Sequence, residues 1–255
     1  MRTHDAGGVP PLGLAVRDVS IAFAGVQALA AVSFDVPVGG VTALIGPNGA
    51  GKTTLLNVIN GIYDSSGVVA LDGVPLDRSR PDERCRRGIA RTFQTPSLLE
   101  DHAVLDNVML GGHSATGRGL RGRRRRGAER ELRERALDLL EQFGIGDRAR
   151  DRVADLAHAD RRRVETARAL VSSPRVVLLD EPAAGLDDDE AEHLLRVATE
   201  LADTCVLVEH NMSLVMSVAR FVVVLAAGHV LATGTPHEVR SDPAVIEAYL
   251  GDAVV

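Results

Sequence analysis

The segment Gly46-Pro47-Asn48-Gly49-Ala50-Gly51-Lys52-Thr53-Thr54 matches the pattern G-x-x-x-x-G-K-[ST] at every constrained position, which leaves few folds open to the chain. The apolar run Val41 to Ile45 precedes it as a buried strand, and Thr53 to Ile59 follows it as a helix. The glycines therefore fall at a strand-to-helix turn, the context that a phosphate cradle requires. Gly46, Gly49 and Gly51 let the backbone curl so that successive N–H groups point inward, and the new helix adds the positive end of its dipole. Lys52 is the only lysine in the chain; the other cationic positions are arginine. A compact ammonium on a flexible stem reaches between β- and γ-phosphates where a planar guanidinium does not fit.

The 255 residues suffice for one large or two modest domains with ample core. A net charge of −6 argues against a general nucleic-acid binder, which is normally basic. Cys85 and Cys205 lie far apart and in no C-x-x-C arrangement, so neither a disulfide framework nor a metal site is indicated, and a reduced cytosolic compartment is expected. The Gly- and Pro-rich start has no apolar signal-peptide core, and residues 1–11 are expected to be a flexible tail. Phe221 to Val230 is broken by Gly228 and His229 and is too short to span a bilayer, so any membrane role needs a partner that spans.

Leu14 to Phe23 and Leu29 to Val36 alternate in the manner of antiparallel strands ahead of the phosphate loop, and Val68 to Leu71 adds another before Asp72-Gly73. Phe23 ends the first of these, where its ring either stacks on a purine or is an ordinary core or edge residue. Gln94, after Ala90-Arg91-Thr92-Phe93, reads as a polar ligand on a flexible joint or as solvated surface. Arg123 to Arg126 opposes a helix N-terminal dipole, so a mobile loop is expected there in preference to an anionic-lipid or nucleic-acid patch. Glu129 to Phe143 is an amphipathic helix with Leu132, Ala136, Leu139, Leu140 and Phe143 on one face and Glu129/Arg133 and Glu131/Arg135 as i,i+4 pairs. A further helix follows Asp160, the expected N-cap, so residues 95–164 form a mostly helical insert.

Two more apolar strands, Val176 to Leu179 and Cys205 to Val208, end in Asp180-Glu181 and Glu209-His210. Ligands of an open parallel sheet bind outside the carboxyl ends of its strands, so these groups and the phosphate loop can converge on one nucleotide. The Thr53 hydroxyl and the Asp180 carboxylate are hard oxygen donors suited to Mg²⁺ bridging β- and γ-phosphates. Glu181 is placed to position or deprotonate an attacking water, and His210 to sense the γ-phosphate.

This order of elements closely resembles the ATP-binding cassette subunit of ABC transporters from about residue 12 onward. Ala90-Arg91-Thr92-Phe93-Gln94, Asp180-Glu181-Pro182-Ala183-Ala184-Gly185-Leu186, Glu209-His210-Asn211-Met212 and Val245-Ile246-Glu247-Ala248-Tyr249-Leu250-Gly251 look like the branched-chain amino acid importers within it. The resemblance implies an α/β fold: a P-loop ATPase core over 12–94 and 165–255, with an N-terminal antiparallel β subdomain and an inserted helical subdomain over 95–164. It implies ATP and Mg²⁺ as cofactors, with Lys52, Glu181, His210 and Gln94 catalytic and Gln94 joining Thr53 and Asp180 at the metal. It implies a head-to-tail pair of ATPase subunits, identical or different, each ATP lying between one phosphate loop and the partner's signature stretch, with Asp187 nearby. Gln94 and the helical insert would couple this pair to membrane-spanning permease subunits, and indirectly to a solute-binding protein, at the inner face of the membrane. Other cargo, such as urea, amides or an exported lipid, and a weakly hydrolysing regulatory cassette are the alternatives. The family signature is typically Leu-Ser-Gly-Gly-Gln; the matching residues are Leu156, Ala157, His158, Ala159 and Asp160. A methyl group at Ala159 is costly if the backbone there needs positive φ or close approach to the γ-phosphate, which leads to the expectation of an asymmetric pair with a different ATPase subunit.

Overall fold

The computed structural model describes residues 12–93, 97–113 and 123–251; the expected tail and Gln94 lie outside them. The chain begins with a hairpin, β1 (Leu12–Phe23) and β2 (Val26–Pro37), closed by Ala24 and Gly25. Both turn residues have positive φ, 47° and 84°, the conformation whose twist matches a tight antiparallel hairpin. The strand β3 (Gly40–Ile45) then leads through the phosphate loop into α1 (Lys52–Ile59). Next come β4 (Ser66–Leu71), β5 (Val74–Pro75), α2 (Pro81–Arg86) and β6 (Ile89–Arg91).

Three helices follow: α3 (Val104–Leu110), α4 (Arg123–Gln142) and α5 (His158–Leu170). The remainder is β7 (Val176–Asp180), α6 (Asp188–Leu201), β8 (Thr204–Val208), α7 (Met212–Val218), β9 (Ala219–Ala226), β10 (His229–Gly234), α8 (Pro236–Arg240) and α9 (Pro243–Gly251).

Two sheets result. The antiparallel sheet has the order β2-β1-β4-β5, and the larger one β10-β9-β3-β8-β7-β6, parallel except at β10. All residues of β7 and β8 are buried, as their unbroken apolar runs require of strands covered on both faces. In β7 the residues alternate: Val176 and Leu178 pack into a core shared with the antiparallel sheet, whereas Val177 and Leu179 face a core built with α3 to α6. Because β3, β8 and β7 are adjacent, their carboxyl ends open at one place.

The helical face expected on α4 is the buried one, with Leu140 and Ala136 fully covered and Phe143 1% exposed. The ion pair that forms along it is Arg130–Glu134 at 3.6 Å; neither expected pair forms among the described residues. Two other expectations are corrected. Arg123 to Arg126 belong to the first turn of α4 rather than a loop: arginine is a good helix former, and a charge opposing the dipole costs on the order of only 1 kcal/mol. Asp160 is not an N-cap, because α5 starts at His158 after Ala157. Its carboxylate is turned sideways to Arg163 at 2.8 Å and Arg148 at 3.5 Å.

The acidic start of α6 is a capping box: Asp187 accepts from the Glu190 N–H at 2.8 Å and Glu190 accepts from the Asp187 N–H at 3.4 Å. Asp187→Ala is expected to lower stability by about 1 kcal/mol, seen as a lower urea midpoint with an unchanged slope.

Candidate functional site

Gly46 opens the phosphate loop at φ +150°, and a β-carbon there would meet the Leu225 carbonyl oxygen at 2.1 Å, so only glycine lets β3 turn at this point. The turn between β9 and β10 braces the loop from the side. The Gly228 N–H donates to the Ala50 carbonyl at 3.1 Å, while the Ala30 N–H donates to Gly228 at 2.8 Å. Ala50 is buried, Asn48 and Gly49 are exposed, and Pro47, Gly51 and Thr54 are half-buried. Lys52 folds back into the loop, its Nζ donating to the Gly46 carbonyl at 2.6 Å and to the Pro47 carbonyl at 3.0 Å. Burial lowers its pKa, and the carboxylates of Glu181 and Asp180 oppose that shift. Thr53 follows in the first turn of α1 with its side chain exposed.

At the end of β7, Asp180 is 1% exposed. Its Oδ2 accepts from Arg91 at 3.0 Å, its backbone N–H donates to the Thr92 hydroxyl at 3.1 Å, and its Oδ1 is buried with no hydrogen-bond partner among the described residues. Burial pushes its pKa up, and the Arg91 guanidinium pulls against that. Glu181 takes a left-handed backbone, φ +49°, unusual for a residue with a long side chain. Its N–H donates to the Val208 carbonyl at 2.9 Å, which ties the end of β7 to the end of β8.

Oε1 of Glu181 lies 2.7 Å from Nε2 of His210, two residues beyond the end of β8. Two strand ends picked out in the sequence are therefore in direct contact.

Glu209, for which the sequence suggested no role, holds both ends of this arrangement. It accepts from the Ala183 N–H at 2.9 Å and from the His210 N–H at 3.3 Å, and burial raises its pKa.

Three other residues escaped the sequence reading. Arg91 and Thr92 grip Asp180 from β6, and the only local signal is a polar pair at the end of a short apolar strand. Tyr249, on the last helix, packs against the cluster that holds Ile45 and Val224; burial raises its pKa, and the Gly46 N–H at the head of the phosphate loop opposes that shift. These neighbours lie too far along the chain for any sequence pattern to reveal the packing.

The remaining candidates stand apart from this cluster or at its rim. Phe23 is 43% exposed at the end of β1 and meets Tyr63 edge-on, ring centroids 5.1 Å apart, so it is not a core residue. In the signature stretch Leu156 is buried, whereas Ala157 and His158 are exposed at the start of α5. Nε2 of His158 lies 3.2 Å from the Ala184 carbonyl, joining the stretch to the segment that leads to Asp187. Ala159 lies within α5 and is not among the residues of positive φ, so its methyl group carries no backbone strain, and that argument for an asymmetric pair falls away.

The sequence family described as ABC transporter matches residues 29–184, and the branched-chain amino acid ATP-binding cassette transporter family matches residues 229–255. The high-affinity branched-chain amino acid transport ATP-binding protein LivG of Salmonella typhimurium is 37% identical over 94% of this chain and 98% of its own. BraF of Pseudomonas aeruginosa, of the same description, is 36% identical over the same shares. Among solved structures, a nucleotide-free ATP-binding cassette from an ABC transporter superposes with a TM-score of 0.82 at 30% identity, covering 93% of this chain and 98% of that one. An ATP-binding cassette in its ADP conformation gives 0.80 at 30% identity, covering 94% and 99%. With a phosphate loop on β3 and an acidic pair on β7 set in this frame, the chain belongs to the ABC transporter family as one of its ATP-binding cassette ATPases.

Proposed function

We propose that this chain is the ATP-hydrolysing subunit of a membrane importer for branched-chain amino acids or a closely related small solute. The observation that carries the reaction is the 2.7 Å contact between Glu181 and His210, which sets a base and a second polar group beside the strand that bears the phosphate loop. The cargo rests on the relatives, which are branched-chain amino acid transport proteins, and on the match at residues 229–255.

In this reading Lys52 leaves the loop carbonyls for the β- and γ-phosphates, while the N–H groups from Gly46 to Thr54 cradle the same oxygens. Phe23, exposed beside Tyr63, receives the purine ring. Glu181 orients and deprotonates the attacking water, and His210 holds Glu181 in place and contacts the γ-phosphate. Mg²⁺ suits the donor set, because Asp180 keeps one buried oxygen without a partner and Thr53 offers an exposed hydroxyl beside Lys52. Gln94 completes that set. The metal, when bound, draws charge off the bridging phosphate oxygens.

Among the described residues no helix is long and apolar enough to cross a membrane, so transport requires spanning subunits. A groove between β6 and α5, lined by Ile89, Phe93, Leu110 and Arg168, offers them a docking surface. The core (12–94 and 165–255) and the helical subdomain (95–164) then move as two bodies joined through α5. A second cassette, a copy of this chain or a different one, supplies Leu156 to Asp160 and Asp187 across the interface.

The test is reconstitution with the permease subunits that co-purify from the native membrane. ATP-driven uptake of radiolabelled leucine into liposomes, stimulated by a loaded solute-binding protein, is expected. Uptake of urea or amides in place of leucine would overturn the cargo, and co-purification with ribosomes or DNA would overturn the transport reading.

A further inference from the structure

Arg91 makes an arrangement that neither the cassette reaction nor ordinary core packing accounts for. Its side chain is 3% exposed at the end of β6. One terminal nitrogen donates to Asp180 Oδ2 at 3.0 Å and the other to Asn57 Oδ1, on α1, at 2.6 Å. The Phe93 ring covers the guanidinium carbon at 5.0 Å. The neighbouring Thr92 hydroxyl takes the Asp180 N–H, so the last residue of β6 and the one after it hold both the carboxylate and the backbone of Asp180.

A buried ion pair of this kind adds little net stability, because desolvating two charges offsets their attraction. Nε of Arg91 is also buried without a partner, a further cost. Fold stability therefore does not explain the residue. What the geometry does fix is which oxygen of Asp180 remains available. Oδ2 is taken by Arg91, and Oδ1 is buried and has no partner among the described residues. The same guanidinium locks Asn57 on the helix that begins with Lys52 and Thr53, so the Asp180 and Thr53 donors are referred to one rigid group.

We infer that Arg91 is a positioning residue for the divalent cation that accompanies the nucleotide: it holds Asp180 as a one-oxygen ligand and fixes its distance from the start of α1. The inference rests on the reading of Thr53 and Asp180 as the Mg²⁺ donors. Arginine suits the task because its planar fork engages two acceptors at fixed separation, which a lysine ammonium cannot do with the same rigidity.

The experiment measures binding of a fluorescent ATP analogue to the full chain in EDTA and across a Mg²⁺ titration, for wild type, Arg91→Gln and Arg91→Lys, together with nucleotide-free melting curves. For Arg91→Gln the Mg²⁺ concentration that half-maximally tightens nucleotide binding is expected to rise about 10- to 100-fold, the usual effect of losing a group that orients a metal ligand. Affinity in EDTA is expected to stay within about twofold. Arg91→Lys, which keeps a cation opposite Asp180 and hence the fold, is expected to lie between the two, and it decides the matter if the Gln variant does not fold. A wild-type Mg²⁺ response in the variants, or equal weakening with and without Mg²⁺, overturns the inference and leaves the ATPase reading standing. Absence of any Mg²⁺ response in wild type overturns both.

Discussion

Glu181→Gln is expected to lower the steady-state ATPase rate by about 10²- to 10⁴-fold, the span typical for loss of a positioned general base, while ATP binding persists. Glutamine keeps the size of the side chain and can still meet Nε2 of His210, now 2.7 Å from Oε1, so the contact between the two strand ends survives. What is lost is the capacity to accept a proton from water. The left-handed backbone at Glu181, φ +49°, and its N–H bond to Val208 are made by the main chain and are untouched by the substitution. Because binding is retained and turnover is not, the variant should accumulate an ATP-dependent dimer on size-exclusion chromatography. Phosphate release at the wild-type rate would remove Glu181 from the role of base.

What the sequence disclosed followed from how local each determinant is. The phosphate loop and its flanking strand and helix are all set within a few residues, and each lies where its spacing placed it. The adjacency of β3, β8 and β7 was legible for a different reason, since apolar runs ending in polar residues imply parallel strands with a common ligand edge. Arg91 and Asp180 are separated by 89 positions, and only the pairing of β6 with β7 brings them together. Tyr249 joins the cluster of Ile45 and Val224 through the packing of the last helix, which no periodicity encodes. The misplaced start of α5 has a plainer origin. Its N-cap is Ala157, which offers no side-chain acceptor, so Asp160, three residues further on and with the chemistry of a cap, drew the reading instead.

Lys52→Ala is expected to weaken ATP binding about 10- to 100-fold, since a hydrogen bond to a charged group contributes about 1.5–3 kcal/mol and each 1.4 kcal/mol is tenfold in affinity. Titration calorimetry in Mg²⁺ reads the change. In the loop the ammonium is held by the carbonyls of Gly46 and Pro47, and Lys52 is 7% exposed. Those two acceptors keep a cation waiting in the loop despite the burial that lowers its pKa, with Asp180 and Glu181 assisting. Moving it onto a phosphate exchanges neutral acceptors for anionic ones, so the side chain favours the bound state without a large rearrangement. Alanine removes the charge and leaves the two carbonyls to water. Lys52→Arg is expected to restore less than a tenth of the lost affinity, because a planar fork cannot occupy the space between the Gly46 and Pro47 carbonyls that one compact nitrogen fills. Wild-type affinity in the arginine variant would mean that charge alone suffices, and that the single lysine of this arginine-rich chain is not dictated by the shape of the loop.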